Sequence, residues 1–248
     1  MIRKVSGPVL PLSARRAYFQ FMAHITKSTK AGVEWPVHTF TEFGVGTTLG
    51  IGCCALISGV RRYQGFDLIQ HLNLDEQDST ISDILSLFKN KAPAINDQGQ
   101  IAFEFPSQII SESILRATTP SKFICGLRKG VASDASKRPS DWISYAAPYD
   151  QSLPEYFGTS DYVMSTATLE HVEDLSSVYL QFHELLRLGG VMSHSIDLRC
   201  HGYKKPWNQE DLWNGHWLLT EDEWGTVTAG HEYSINRAPA SQHLSLIH

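Results

Sequence analysis

Cysteine is scarce in this 248-residue chain, with four residues in all, Cys53, Cys54, Cys125 and Cys200. No C-x-x-C pair occurs among them, which excludes a disulfide-framed scaffold and a zinc ribbon and points to a reducing, cytoplasmic setting. Long apolar runs are missing as well. None approaches the roughly 20 residues of a membrane helix, so no membrane span and no secretory signal are expected. Excess charge is small, 21 Lys and Arg against 26 Asp and Glu for a net −5, which argues against a nucleic-acid partner held by phosphate contacts. Eleven histidines are present, yet none falls in an H-E-x-x-H or a Cys/His cluster, so no metal is expected. Internal repeats and low-complexity segments are lacking too. What remains, 42% hydrophobic and 19% charged, suits one large α/β domain with a substantial core, or two small ones.

Acid is also missing from the first 33 residues, which carry Arg3, Lys4, Arg15, Arg16, Lys27 and Lys30. Such a segment reads either as an organelle transit peptide or as an ordinary surface helix. Ala14, Ala17, Tyr18, Phe21, Met22 and Ile25 recur at helical spacing behind Ser13, a residue suited to an N-cap, and this favours the helix. Residues 1–36 are therefore read as an N-terminal helical segment and 37–243 as the main domain.

Val37 to Glu42 reads as a strand, Gly44-Val45-Gly46-Thr47-Thr48-Leu49-Gly50 as a turn, and Ile51 to Val60 as a closely packed helix. Tyr63 to Leu68 gives a second strand that ends at an acid. Strand, glycine turn, helix, strand is the opening of a parallel βαβ unit. An insertion over about 75–140 follows, either a cap or a surface elaboration. It holds helical spacing at Ser79 to Phe88 and Pro106 to Ala117, and a strand at Ile101 to Phe105. Trp142 to Tyr145 and Asp161 to Ser165 read as further strands. Asp174 is placed to cap a helix that Gly189-Gly190 would stop, and Val191 to Leu198 reads as the fifth strand. Within it His194 and Asp197 point to opposite faces. The expected class is α/β: a Rossmann-like open, mostly parallel sheet with helices on both faces and ligands at the carboxyl ends of the strands.

Glycines at 44 and 46 allow a tight turn and close backbone approach. A dinucleotide fingerprint spaces its third glycine one residue sooner than Gly50, where this chain has Leu49. An acid at Glu42, two residues before Gly44, repels a pyrophosphate and suits a cationic ligand such as an ammonium or a sulfonium. Asp67, 25 residues after Glu42, is placed to accept both hydroxyls of a ribose, whether of NAD or of another nucleoside cofactor.

The stretch Asp161-Tyr-Val-Met-Ser-Thr-Ala-Thr-Leu-Glu170-His171-Val172, the capped helix after it, and Leu188-Gly189-Gly190-Val191 follow in order behind these features. Over about residues 38–198 the chain resembles the class I S-adenosylmethionine-dependent methyltransferases. The resemblance implies S-adenosylmethionine as cofactor, with Glu42, Gly44 and Gly46 about its methionine portion and Asp67 on the ribose hydroxyls. It further implies Tyr145 and Ala146 beside the adenine, and Ser165 to His171, Glu170 included, facing the sulfonium and the acceptor. The adenine-loop acid of the family has no counterpart, since Asp141 precedes the strand and Asp150 comes well after it. His194, His201 and His171 are the candidate bases, because an imidazole has a suitable unperturbed pKa. Ser193 to His201 with Trp213, Trp217 and Trp224 is loosely similar to a bacterial subgroup associated with surface glycans. That implies a sugar or another small hydroxylated acceptor, the tryptophans being either a wall for the ring or ordinary core. A nicotinamide-dependent oxidoreductase and a non-catalytic cofactor-binding partner subunit are the competing readings.

The family fold continues past the fifth strand with a helix and an antiparallel pair. Only about 50 residues follow Leu198 here, so those strands are expected to be missing. Leu244-Ser245-Leu246-Ile247-His248 matches one reading frame of a common sequencing adapter, and 244–248 are expected to be an artefactual tail on a fragment.

Overall fold

In the computed structural model, residues 13–73, 77–113, 142–149, 154–200, 215–229 and 235–247 are described. At the centre lies β1 (Thr39–Phe43), buried at every position. A strand covered on both faces needs apolar or hydrogen-bonded side chains throughout. Thr41 meets this by hydrogen-bonding to Gln64 and Ser160 at 3.0 and 2.6 Å. On one side of β1 stand β2 (Arg62–Phe66) and then β5 (Ile143–Ala146); on the other stand β6 (Ser160–Thr166) and β7 (Leu186–Ser195). All four neighbour pairs are parallel, giving the order β5-β2-β1-β6-β7. The chain builds outward from β1 in one direction and then returns to build in the other. The expected open parallel sheet is thus present, with its switch point between β1 and β6.

Side chains alternate across this sheet and sort into two cores. Phe40, Tyr63, Ile143, Tyr162 and Met164 pack under α1 (Ala14–Lys30), α2 (Gly50–Ile57) and α3 (Gln77–Lys89). Phe43, Phe66, Ala146 and Val163 pack under α4 (Leu175–Leu185). In α1 the predicted stripe is the buried one, and the Ser13 side chain accepts from the Arg16 N–H. Asp174 caps α4 in the same way through the Ser177 N–H.

Three element expectations are corrected. The α4 helix ends at Leu185, before the glycine pair, and the chain passes directly into β7, which ends at Ser195. Gly189, at φ +80°, and Gly190 lie in a register irregularity between the Ser160–Leu186 and Tyr162–Val191 pairs. They mark a bulge rather than a helix stop. The α2 helix stops at Ile57 rather than Val60, because Gly59 turns at φ +107°. Residues 107–109, expected to be helical, form a turn on the Pro106 carbonyl.

Of residues 75–140, α3 belongs to the layer over the sheet through Ile81, Ile84 and Phe88. A small hairpin, β3 (Ala94–Ile95) with β4 (Ile101–Phe103), leans on α1, where the Tyr18 hydroxyl donates to the Ala92 carbonyl at 2.6 Å. Farther along, α5 (Glu221–Thr228) carries a Thr220–Glu223 capping box, and Trp224 packs with Ile235 in a small separate cluster. Trp217 is exposed and donates to the Arg237 carbonyl at 3.1 Å, while Trp213 lies outside the described residues. Residues 244–247 continue α6 (Ala240–Ile247), whose Leu246 packs against the α4 core. Among the described residues no strand follows β7, and no helix is long and apolar enough to cross a membrane.

Candidate functional site

A cavity of about 240 Å³ opens at the carboxyl ends of β1, β2 and β6, at the switch point. Its walls are apolar, with Phe43 and Phe66 from the sheet, Leu169 and Val172 from the loop after β6, and Val178 from α4. Into this wall project Asp67 and the backbone of Gly44 and Gly46.

Asp67 follows directly on β2, and only 8% of its surface is exposed. Its Oδ2 accepts from the Gly46 N–H at 2.9 Å and the Tyr145 hydroxyl at 3.4 Å. Burial pushes its pKa up to about 7, against the opposing pull of those two donors. Gly46 has φ +70°, and a Cβ built on it would meet nothing within 4 Å. Its backbone therefore faces open space that a ligand can enter closely. Gly44, at φ +80°, is glycine for a different reason, since any Cβ there would overlap the Thr168 side chain. Thr168 in turn donates to the Phe43 and Thr166 carbonyls at 3.3 and 3.0 Å, tying the end of β1 to the end of β6. Ala167, at φ +49°, completes this tight turn.

Glu42 needs correction. It points away from the cavity, with 2% exposure, and accepts from the Tyr63 hydroxyl at 2.6 Å. The cause is the two-residue period of β1: Phe43 lines the cavity, so Glu42 must face the α2 side. Burial pushes its pKa up to about 8, and the Tyr63 hydrogen bond offsets this only in part. At neutral pH the group is mostly an uncharged acid, and the expected attraction for a cation is absent.

The other expected positions divide. Tyr145 reaches the site through Asp67, whereas Ala146 is core and meets it only through its carbonyl, which accepts from the Asp67 N–H at 3.1 Å. Ser165 does not line the cavity; its hydroxyl hydrogen-bonds with His194 Nδ1 at 2.8 Å on the α4 side of the sheet. The His194 ring stacks on Phe182 at 4.8 Å, and burial lowers its pKa to about 3. Such a ring is a poor base and cannot reach a ligand beside Asp67. Glu170 is buried beneath the loop, outside the cavity lining, with its pKa pushed up to about 7 by burial. His171 is exposed at the rim of the cavity. His201 lies outside the described residues.

Sequence reasoning missed the apolar walls. For Phe43 the available signal was its parity opposite to Glu42; Phe66 and Asp67 both line the cavity because Asp67 lies just past the end of β2, where strict alternation ceases. Val178 and Gln181, one helical turn apart, gave no sign of facing a site rather than the core. The start of α2 holds a further surprise: the Leu49 N–H donates to Gln77 Oε1 at 2.9 Å, and the Gly50 N–H to Thr48 Oγ1 at 3.3 Å. Two donors that could cradle a phosphate are thereby engaged within the protein. No group of three or more His, Cys, Asp or Glu stands together to share a metal among the described residues.

No protein-family model matches the chain, and no curated protein does. Among solved structures it is similar to an S-adenosylmethionine-dependent methyltransferase from Mesorhizobium loti, at 14% identity over 95% of this chain and 79% of that one, TM-score 0.46. A Haemonchus contortus phosphoethanolamine N-methyltransferase 2 in complex with S-adenosyl-L-methionine matches at 14% identity, TM-score 0.43, over 92% of this chain. The present chain spans 35% of that protein's length. A complex of the Haloferax volcanii Trm112 activator with a methyltransferase matches at 15% identity, over 94% of this chain and 70% of that one, TM-score 0.40.

Proposed function

We propose that this chain binds S-adenosylmethionine in the cavity at the end of β2 and transfers its methyl group to a small acceptor, a hydroxyl of a sugar or related metabolite. The observation that carries this reading is Asp67: a buried carboxyl at the tip of β2, oriented by the Gly46 N–H, on the edge of an apolar cavity. A carboxylate so held can accept two vicinal hydroxyls of a ribose, and the walls around it suit a planar base. The engaged N–H groups at the start of α2 speak against a dinucleotide, whose pyrophosphate would need them.

When bound, S-adenosylmethionine supplies a methyl group already activated on a sulfonium. The task left to the protein is alignment. Asp67 and Tyr145 fix the sugar end, while Phe43, Leu169 and Val172 exclude water. Alignment of this kind is worth about 7–11 kcal/mol in favourable cases. A hydroxyl acceptor gains a further ~10²–10⁴-fold from a base, and His171 is the candidate histidine that lines the cavity.

Calorimetric titration with S-adenosylhomocysteine and, separately, NAD tests the reading. Binding of the former with the latter inert is expected, and Asp67→Ala should weaken it by about tenfold or more, given ~1.5–3 kcal/mol for a hydrogen bond to a charged group. Binding of NAD alone, or an Asp67→Ala affinity equal to the parent's in folded protein, would refute it.

A further inference from the structure

A second cavity, of about 160 Å³, lies on the opposite face of the sheet, between α1 and the carboxyl ends of β6 and β7. Its character differs from the first. Gln20, His24 and Lys27 line it from one face of α1, at positions spaced by four and three residues, and Thr166, Ser193 and Ser195 line it from the strands. Neither carboxylate nor continuous apolar wall is present in that lining; Lys27 brings its charge to an exposed position, and hydroxyls face it.

At its base His24 is buried and bonded at both ring nitrogens, Nδ1 to the Ser193 hydroxyl at 2.7 Å and Nε2 to the Thr166 hydroxyl at 3.0 Å. A neutral imidazole donates from one nitrogen and accepts at the other, so it sets the direction in which each hydroxyl offers its own proton. Burial and the neighbouring Lys27 lower the His24 pKa to about 4, which keeps the ring neutral and this pattern in place. With both nitrogens paired the ring carries no unmet hydrogen bond, and the satisfied network holds the Thr166 and Ser193 hydroxyls rigidly at the wall of a polar cavity.

Position gives the use. Thr166 lines the second cavity and Ala167, the next residue, lines the first. The two linings therefore come to consecutive residues at the end of β6, and an acceptor seated in the second cavity has to extend past that strand end to meet a donor in the first.

We propose that the cavity under α1 seats the methyl acceptor, a small hydroxylated molecule bearing one acidic group. Lys27 pairs with the acid, and the His24-oriented hydroxyls of Thr166 and Ser193 position the rest. As an acceptor site this rests on the methyltransferase reading above; as a ligand site it stands on the cavity alone.

Histidine-labelled full-length protein, with and without S-adenosylhomocysteine, tests it by nuclear magnetic resonance, the His24 ring signals being assigned from His24→Gln. Glycerol phosphate, glycolate and plain glycerol serve as probes. At least one acid-bearing probe should shift the His24 signals saturably, with glycerol about tenfold weaker or worse. Lys27→Ala should weaken that probe by about tenfold, and Ala23→Leu, which fills the cavity from a partly exposed helix position, should abolish the response while S-adenosylhomocysteine affinity stays unchanged. Silence of the His24 signals toward every probe, or an undiminished response in Ala23→Leu, overturns the proposal. A His24 response in protein that binds no S-adenosylhomocysteine upholds the site and removes the methyl donor instead, so the two failures are told apart.

Discussion

The Glu42 carboxyl lies beneath α2 with Cys53 and Cys54 for neighbours and the Tyr63 hydroxyl as its donor. Ionising it there is costly, which has a consequence for stability. In the unfolded chain the group titrates near ~4.3; folded, it titrates at about 8. Its contribution is thus fully present below the unfolded value and is lost as pH rises through the folded one. Asp67 and Glu170, each held up to about 7, act in the same direction. Stability of the cofactor-free protein should therefore fall from about pH 6.5 to about pH 9, a range in which unfolded histidines no longer offset it. Glu42→Gln keeps an acceptor for Tyr63 without the charge, so its urea midpoint should decline less steeply over that range. Parallel profiles for variant and parent would show that the carboxyl is not buried as described. At this scale the acids at 42 and 67 were both legible as candidates, and Asp67 lines the cavity while Glu42 does not, because one residue of strand parity separates a cavity wall from a core acid.

Among the elements, α1 was the most legible, because a helix with one buried stripe advertises its face in its spacing. Phe21 is the centre of that stripe, fully buried and in contact with Trp35, Phe40 and Phe88 at ring distances of 5.7, 6.3 and 6.4 Å. Phe21→Ala should cost about 3–5 kcal/mol in chemical denaturation, the usual range for emptying such a position. A loss below about 1 kcal/mol would mean that α1 is an appendage rather than a layer of the core. Elements with weak periodicity fared worse. Ile101 to Phe105 reads as a strand and holds over Ile101–Phe103, but its partner Ala94–Ile95 is too short for alternation to register, and the hairpin is held by Asn96, whose Oδ1 accepts from the Gln98 and Gln100 N–H groups. The Gly189-Gly190 pair reads as a helix stop in one dimension and proves to be a strand irregularity, because only its partner strand reveals the extra residues.

For the whole molecule, the sheet presents β5 and β7 as its outer strands among the described residues. An outer strand is a template for unwanted pairing, and β7 carries Leu188 at 98% exposure. Replacing it with lysine removes an apolar side chain that touches little. Leu188→Lys should leave the denaturation midpoint nearly unchanged, within about 0.5 kcal/mol, and reduce aggregation measured by light scattering. A marked loss of stability instead would place Leu188 in a contact.

What the sequence determined by itself is the order and kind of the main elements, and with them the open sheet and the end of it at which the cavity opens. These follow from local patterns: hydrophobic spacing, caps and glycine turns act over a few residues and can be read along the chain. Tertiary structure alone decided which side chains share a space. It turned Glu42 and His194 into the two cores, raised apolar walls from Phe43, Phe66 and Val178 around Asp67, and brought His24 from the first helix to Thr166 and Ser193. The reason is physical. A side chain's charge, partners and access to solvent depend on the opposite surface packed against it, and that surface comes from other elements, 21 positions away for Glu42 and Tyr63 and 142 for His24 and Thr166.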